Sequence, residues 1–181
     1  MKIFRRYIDR RDGTTAIEFS LLAVPFMLTC ISLIELSLYF ASASMLESAA
    51  QSSARLIKTG QLQQTTGDPL TEFLDEVCNQ AGFLMDCSKF QYQVIKMNDF
   101  NSDTTPTLDS DGNMTPPDQF EVNSMTAGCV GLVRITYPFQ FITPFFSSVW
   151  GEYGGTRIIM STVAFQVEPY DFNVTDPTCS V

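Results

Sequence analysis

The sequence predicts an α+β protein in which a long N-terminal transmembrane helix extends into a small exoplasmic domain, with a short helix and a roughly three-stranded antiparallel sheet. Three observations carry this reading. The run from Phe19 to Leu46 contains a single charged residue, Glu35, and at about 1.5 Å per residue a helix of that length exceeds the ~30 Å hydrocarbon core of a bilayer. Small residues then recur at helical spacing as far as Thr59. Further on, three segments alternate apolar and polar residues with the period of two that marks a half-buried strand. The 181 residues therefore divide into a cytoplasmic leader (1–13), a transmembrane and extended helix (14–59) and an exoplasmic α+β domain (60–181).

The leader carries Lys2, Arg5, Arg6, Arg10 and Arg11, all before the span, and this excess of positive charge places the N-terminus on the cytoplasmic side. Helical patterning starts at Thr14, where Thr14 or Thr15 can cap, and Glu18 suits the positive end of the helix dipole. Pro25 lies inside the run and predicts a gentle kink. Ser37, Ala41, Ser44, Ser48 and Ser52 follow one another at spacings of three or four, a stripe without bulk that lets a second helix approach closely. The same section could also pack on the chain's own domain, and the two readings are compatible. Gly60 can end the helix.

Residues 60–68 read as a polar connection. Asp68 then caps a short amphipathic helix opened by Pro69, with Leu70, Phe73, Leu74, Val77 and Cys78 on one side. The first strand, Lys89 to Met97, points Phe90, Tyr92 and Val94 inward and Gln91 and Gln93 to solvent. From 98 to 128 the chain is rich in Asn, Asp, Ser, Thr and Pro, as a long surface loop would be. The second strand alternates Val133, Ile135, Tyr137, Phe139 and Phe141 with polar residues, and Pro138 demands an edge or a bulge. Thr143 to Trp150 is a short helix or an irregular aromatic connection, and Arg157 to Val167 is the third strand, with Ile159, Val163, Phe165 and Val167 on one face.

Composition excludes several functions. Histidine is absent, which removes Ser-His-Asp and Cys-His catalysis and most zinc sites; the chain reads as no enzyme, with no cofactor and no metal. Past the span 16 acidic residues face 6 basic ones, a net of −10, and that balance argues against nucleic acid, whose phosphates need clustered Lys and Arg. Asp109-Ser110-Asp111-Gly112-Asn113 resembles part of a calcium loop, but Thr107 stands at the first ligand position and Asp118 at the last, so an acidic turn fits better. Cys78, Cys87, Cys129 and Cys179 all lie beyond the span, an even number that suggests two disulfides in an oxidising compartment. Of the three possible pairings, Cys78 with Cys87 and Cys129 with Cys179 is favoured. Cys30, inside the span, packs as a small apolar residue.

Glu18 carries the most information. A carboxylate at mid-span costs on the order of 2.5 to 3.5 kcal/mol, less near an interface, so a compensating partner is expected. Cutting after Gly13 would create an ammonium at Thr14, largely protonated at neutral pH and about 6 Å along the axis from Glu18. In a bundle of staggered copies the ammonium of one subunit could neutralise the carboxylate of the next. The plain alternative leaves Glu18 in the headgroup region. Glu35 is about 25 Å further along and about 100° around, on another face; it reaches toward the far interface or pairs in an assembly.

The leader ending in Gly13, the Thr14-Thr15-Ala16-Ile17-Glu18-Phe19 start, Pro25 within the apolar run and Ala49-Ala50-Gln51-Ser52-Ser53-Ala54-Arg55 resemble the TadE/TadG-like pseudopilins of the Flp/Tad branch of type IV pili. Val133 to Pro138, Thr143-Pro144 and Ala164 to Tyr170 look like that family's C-terminal strands. The resemblance implies cleavage between Gly13 and Thr14 by a prepilin peptidase, with Glu18, followed by Phe19, as the assembly determinant. It further implies a single-pass protein of the bacterial inner membrane, its C-terminal domain periplasmic or extracellular. Its partners would be other pilins, pseudopilins and the assembly machinery of an adhesive, secretion-related pilus. The large exported domain sets this chain apart from the small major pilins. A competing reading takes Ala41-Ser42-Ala43 as a signal peptidase site that releases an adhesive or binding domain after Ala43, against which a leader of that length is longer than the usual 15 to 30 or so residues. An unprocessed signal anchor is the third.

Overall fold

The computed structural model describes residues 14–97 and 107–169. The chain divides into two units between Leu38 and Tyr39. Helix α1, Thr14–Lys58, supplies the first unit's structure and the opening element of the second.

In the first unit the helix runs through Pro25. Its apolar residues occupy consecutive positions such as Leu21-Leu22 and Phe26-Met27-Leu28, and all of these are exposed, so there is no polar face. Between Ala16 and Leu38 every hydroxyl turns back on the helix. Ser20 donates to the Ile17 carbonyl, Thr29 to Pro25, Ser32 to Leu28 and Ser37 to Leu33. Four polar groups are thereby satisfied without water, as an apolar medium demands.

In the second unit α1 ends at Lys58, and Gly60 takes the left-handed conformation at φ 75° that releases the chain. A one-turn helix, α2 (Gln61–Gln64), tucks in Leu62. Helix α3 (Pro69–Ala81) opens as its residues dictate. The Asp68 carboxylate accepts from the Thr71 N–H at 3.2 Å and from its hydroxyl at 2.7 Å, and these donors, the hydroxyl first, hold the Asp68 carboxyl below the ordinary range. Phe73, Val77 and Ala81, spaced by four, form the buried side. Cys78 at its end is bridged to Cys87, with Cα atoms 5.7 Å apart.

The strands are β1 (Gln91–Met97), β2 (Thr107–Leu108), β3 (Met114–Thr115), β4 (Gln119–Phe120), β5 (Val130–Gln140) and β6 (Thr156–Gln166), with the helix α4 (Pro144–Trp150) between the last two. Four of them form one sheet in the order β4-β1-β5-β6. β5 is antiparallel to β1 (Tyr92 opposite Ile135) and to β6 (Ile135 opposite Ser161), while β4 runs parallel to β1. The sheet is thus mixed and four-stranded rather than antiparallel and three-stranded. The sequence hides β4 because it is two residues long, too short for alternation to register. β1 pairs with β5 only as far as Thr136, so Pro138 lies where β5 has one neighbour, β6, and the missing N–H is tolerated. Gly131 faces Phe165; a Cβ there would fall 2.7 Å from the Phe165 ring and 3.0 Å from the Met125 sulfur.

The core joins Leu46, Ala49, Ala50 and Ile57 of α1 to Phe73 and Val77 of α3 and to Val94, Val133, Ile135 and Phe165 of the sheet. The opposite sheet face is covered as well, and here the expectation of a plain surface loop over 98–128 needs correcting. β2 and β3 pair as a hairpin that closes on this face, burying Met114. Gln91 receives the Met114 N–H (2.8 Å) and donates to Asn113 (2.7 Å). Gln93 donates to the Pro116 carbonyl (2.7 Å) and accepts from the buried Arg134 (2.8 Å), whose pKa burial lowers. The glutamines expected to face solvent are the clamps of this second layer, since an amide offers a donor and an acceptor together. Met97, Val130 and Leu132 form a small apolar cluster beside them.

Because Phe73 is fully buried and touches the Tyr92 and Phe120 rings at 5.9 and 5.5 Å, Phe73→Ala should destabilise the domain by roughly 3 to 5 kcal/mol. The exposed Phe83 serves as control, with a change within about 0.5 kcal/mol. Denaturant unfolding of the two variants measures both.

Candidate functional site: the exposed apolar helix

From Ile17 to Ile34, eleven large apolar side chains of α1 stand exposed, and only 6 % of the helix's most apolar window is buried. A core helix of a water-soluble protein would show the reverse. By length and composition this is a helix that can cross a membrane, with 25 residues from Thr14 to Leu38 giving about 37 Å against a ~30 Å hydrocarbon core.

The residues singled out in the sequence fall as follows. Thr14 is the first described residue of α1, while Gly13 and the residues before it, where a leader was expected, lie outside the described residues. Glu18 and Phe19 are exposed, and among the described residues no donor reaches Glu18. Glu35 contrasts with it, being 3 % exposed and engaged within the chain. One carboxylate is therefore buried and the other exposed.

In the part of α1 that belongs to the second unit, two stripes of small residues emerge where one was foreseen. Ser44 and Ser48 of the predicted stripe are exposed, as is Ser37 before them, and Ala41 and Ser52 are half-buried. A different stripe meets the domain: Ser42, Leu46, Ala49, Ala50, Ser53 and Ile57 are buried. Its spacing of three and four was available in the sequence, but small residues populate both sides of the helix and composition did not separate them. Glu47, between the stripes, accepts from the Ser161 hydroxyl of β6 and from Gln51 at 2.9 Å. At the helix end the Lys58 carbonyl receives the Glu168 N–H at 2.8 Å, and the two side chains pair at 3.2 Å; at that exposure the ion pair contributes about 0 to 1 kcal/mol.

Of the four cysteines past the apolar helix, Cys78 and Cys87 are joined and Cys129 is disulfide-bonded; Cys179 lies outside the described residues. Cys30 is a free thiol. The acidic turn uses its carboxylate internally. Asp109 accepts from the Asp111 and Asn113 N–H groups at 2.9 and 2.8 Å and from the Asn113 amide at 3.1 Å, and these donors, chiefly Asn113, hold its carboxyl low. Among the described residues no three carboxylates or thiols gather as a metal set would.

Residues 13–55 match the family model described as TadE-like protein. That span covers the exposed apolar helix and the small residues of both stripes, stops before Ile57 and does not reach the sheet. No curated protein and no solved structure matches the chain.

The two stripes predict opposite responses to bulk. Ser48→Leu, on the open stripe, should change domain stability by no more than about 0.5 kcal/mol. Ala50→Leu, on the buried one, should cost about 1 to 3 kcal/mol through overpacking. Thermal unfolding of the two variants in detergent separates them.

Proposed function

We propose that this chain, which carries a TadE-like segment over residues 13–55, is a non-catalytic pseudopilin or minor pilin that acts in assembling Flp/Tad-type pili. A prepilin peptidase cuts it after Gly13. The mature chain then begins at Thr14, and its new ammonium meets the Glu18 carboxylate of a neighbouring copy or relative within the membrane, with Phe19 beside it. The open stripe of Ser37, Ala41, Ser44, Ser48 and Ser52 receives the helix of that neighbour. The chain crosses the bacterial inner membrane once, N-terminus inside, and presents its acidic domain on the far side to other pilins and the assembly machinery.

The observation that carries this reading is the exposure of Glu18 among exposed apolar side chains. A carboxylate set in lipid that no donor reaches among the described residues requires one from elsewhere, and a subunit freed of its leader supplies an ammonium at the matching depth. Release after Ala43 is less well supported. The bond from Ala43 to Ser44 lies inside the continuous helix α1, three residues before the buried Leu46, whereas a peptidase needs its substrate extended.

N-terminal sequencing of membrane-derived protein, wild type and Glu18→Leu, tests the proposal alongside a count of pili. Both proteins should begin at Thr14, because the replacement leaves the cut untouched, and only the wild type should support pili. A start at Met1 or Ser44 would refute the processing step. Normal piliation by Glu18→Leu would refute the role of the carboxylate.

A further inference from the structure

The second unit has a cleft where β6 runs out. Lys58 at the end of α1, Gly128 ahead of β5, and Ala164, Phe165, Val167 and Pro169 in β6 and just past it line a space of about 670 Å³. Val167 is fastened toward β5 here. Its N–H donates to the Cys129 carbonyl and its own carbonyl accepts from the Gly128 N–H, both at 2.9 Å. Glu168 turns the other way and ties to Lys58 through backbone and side chain. The described residues end at Pro169, on the wall of the cleft.

Two observations identify what fills it. Cys129, at the same end of the sheet, is disulfide-bonded and 1 % exposed. Of the five cysteines, Cys78 is joined to Cys87 and Cys30 is free, which leaves Cys179 as the partner within the chain. The Cα atoms of a bridged pair stand no more than about 7 Å apart. With that bond, residues 170–178 leave from Pro169 and return beside Cys129, next to where they started. An extended segment of that length reaches about 30 Å, so one that goes out and comes back stays within about 15 Å of its roots. The second observation is its sequence. Tyr170, Phe172 and Val174 alternate with Asp171, Asn173 and Thr175, a period of two that gathers the apolar side chains on one side of an extended strap. With both ends fixed, little chain entropy is left to lose, and burying that side is favourable.

We propose that residues 170–178 form a strap seated in this cleft, with Phe172 and Val174 turned into it, closed by a bond between Cys129 and Cys179. The strap fastens the end of β6 to the start of β5 and, through Glu168 and Lys58, to the end of α1. Forming the bond takes two protons and two electrons from the two thiols, and an oxidised dithiol carrier accepts the electrons by disulfide exchange. The occupant is the chain's own segment; the same segment of a second copy is the competing outcome. Every residue involved lies beyond Tyr39, so the strap is independent of the role of Glu18.

Peptide mapping without reductant and hydrogen exchange, both on the full chain in detergent with free thiols blocked, test the strap. In protein that runs as a monomer, the peptides holding Cys129 and Cys179 should be recovered joined. The amides of 170–178 should exchange at least about tenfold more slowly than in the free peptide. Cys179→Ser removes the bond and leaves the buried Cys129 in place; protection of 170–178 should vanish, and the Val167 and Glu168 amides should exchange faster. Phe172→Ser combined with Val174→Ser should keep the bond and lose the protection. Recovery of Cys179 as a free thiol, or joined only between two copies, overturns the closure within the chain. A joined pair with unprotected amides overturns the seat in the cleft, as does protection that survives the double replacement.

Discussion

Everything in this molecule follows from a helix whose first half cannot face water. Eleven large side chains lie open between Ile17 and Ile34, and at about 1.5 to 3 kcal/mol for burying each, hydrating them would cost roughly 15 to 35 kcal/mol, above the 5 to 15 kcal/mol or so that holds a whole domain folded. Lipid or other helices must take that surface. Once the medium is apolar, the hydroxyls that return to their own helix follow as local solutions to the same constraint. Glu18 is the exception. An exposed carboxylate in that setting is a binding energy held in reserve.

The second half of the helix obeys a different rule. Beyond Tyr39 it is the central rod of the domain, and its small residues allow backbone and sheet to approach closely, as Ala49, Ala50 and Ser53 do. The ties at Glu47 to Ser161 and at Lys58 to Glu168 fix its rotation about its axis. That rotation decides which side is left for others. Ser44 and Ser48 stay open because Leu46 and Ala50 are spent on the domain core.

The parts of the fold legible in the sequence were those written in strong local signals. The apolar run, the left-handed Gly60, the Asp68-Pro69 start of α3 and the alternation in β1, β5 and β6 each rest on a few neighbouring residues. What stayed hidden depended on pairing at a distance. β4 exists because Gln119 and Phe120 lie beside Gln93 and Val94, and nothing local to two residues announces a parallel pair. Gln91 and Gln93 read as solvent-facing because alternation sorts by polarity, yet an amide clamp is polar and covered at once. The same limit applied to the candidate site. The Gly13 to Phe19 segment stood out because a carboxylate heading an apolar run is locally anomalous, whereas which of two small-residue stripes faces the domain required the domain itself.

Cys30 gives the most direct measurement of the governing constraint, since it is a free thiol inside the apolar run and needs no replacement. In intact vesicles a membrane-impermeant maleimide should fail to label it, and denaturing detergent should expose it fully. Rapid labelling of Cys30 in intact vesicles would contradict the account, because the surface argued to lie in lipid would then be in water.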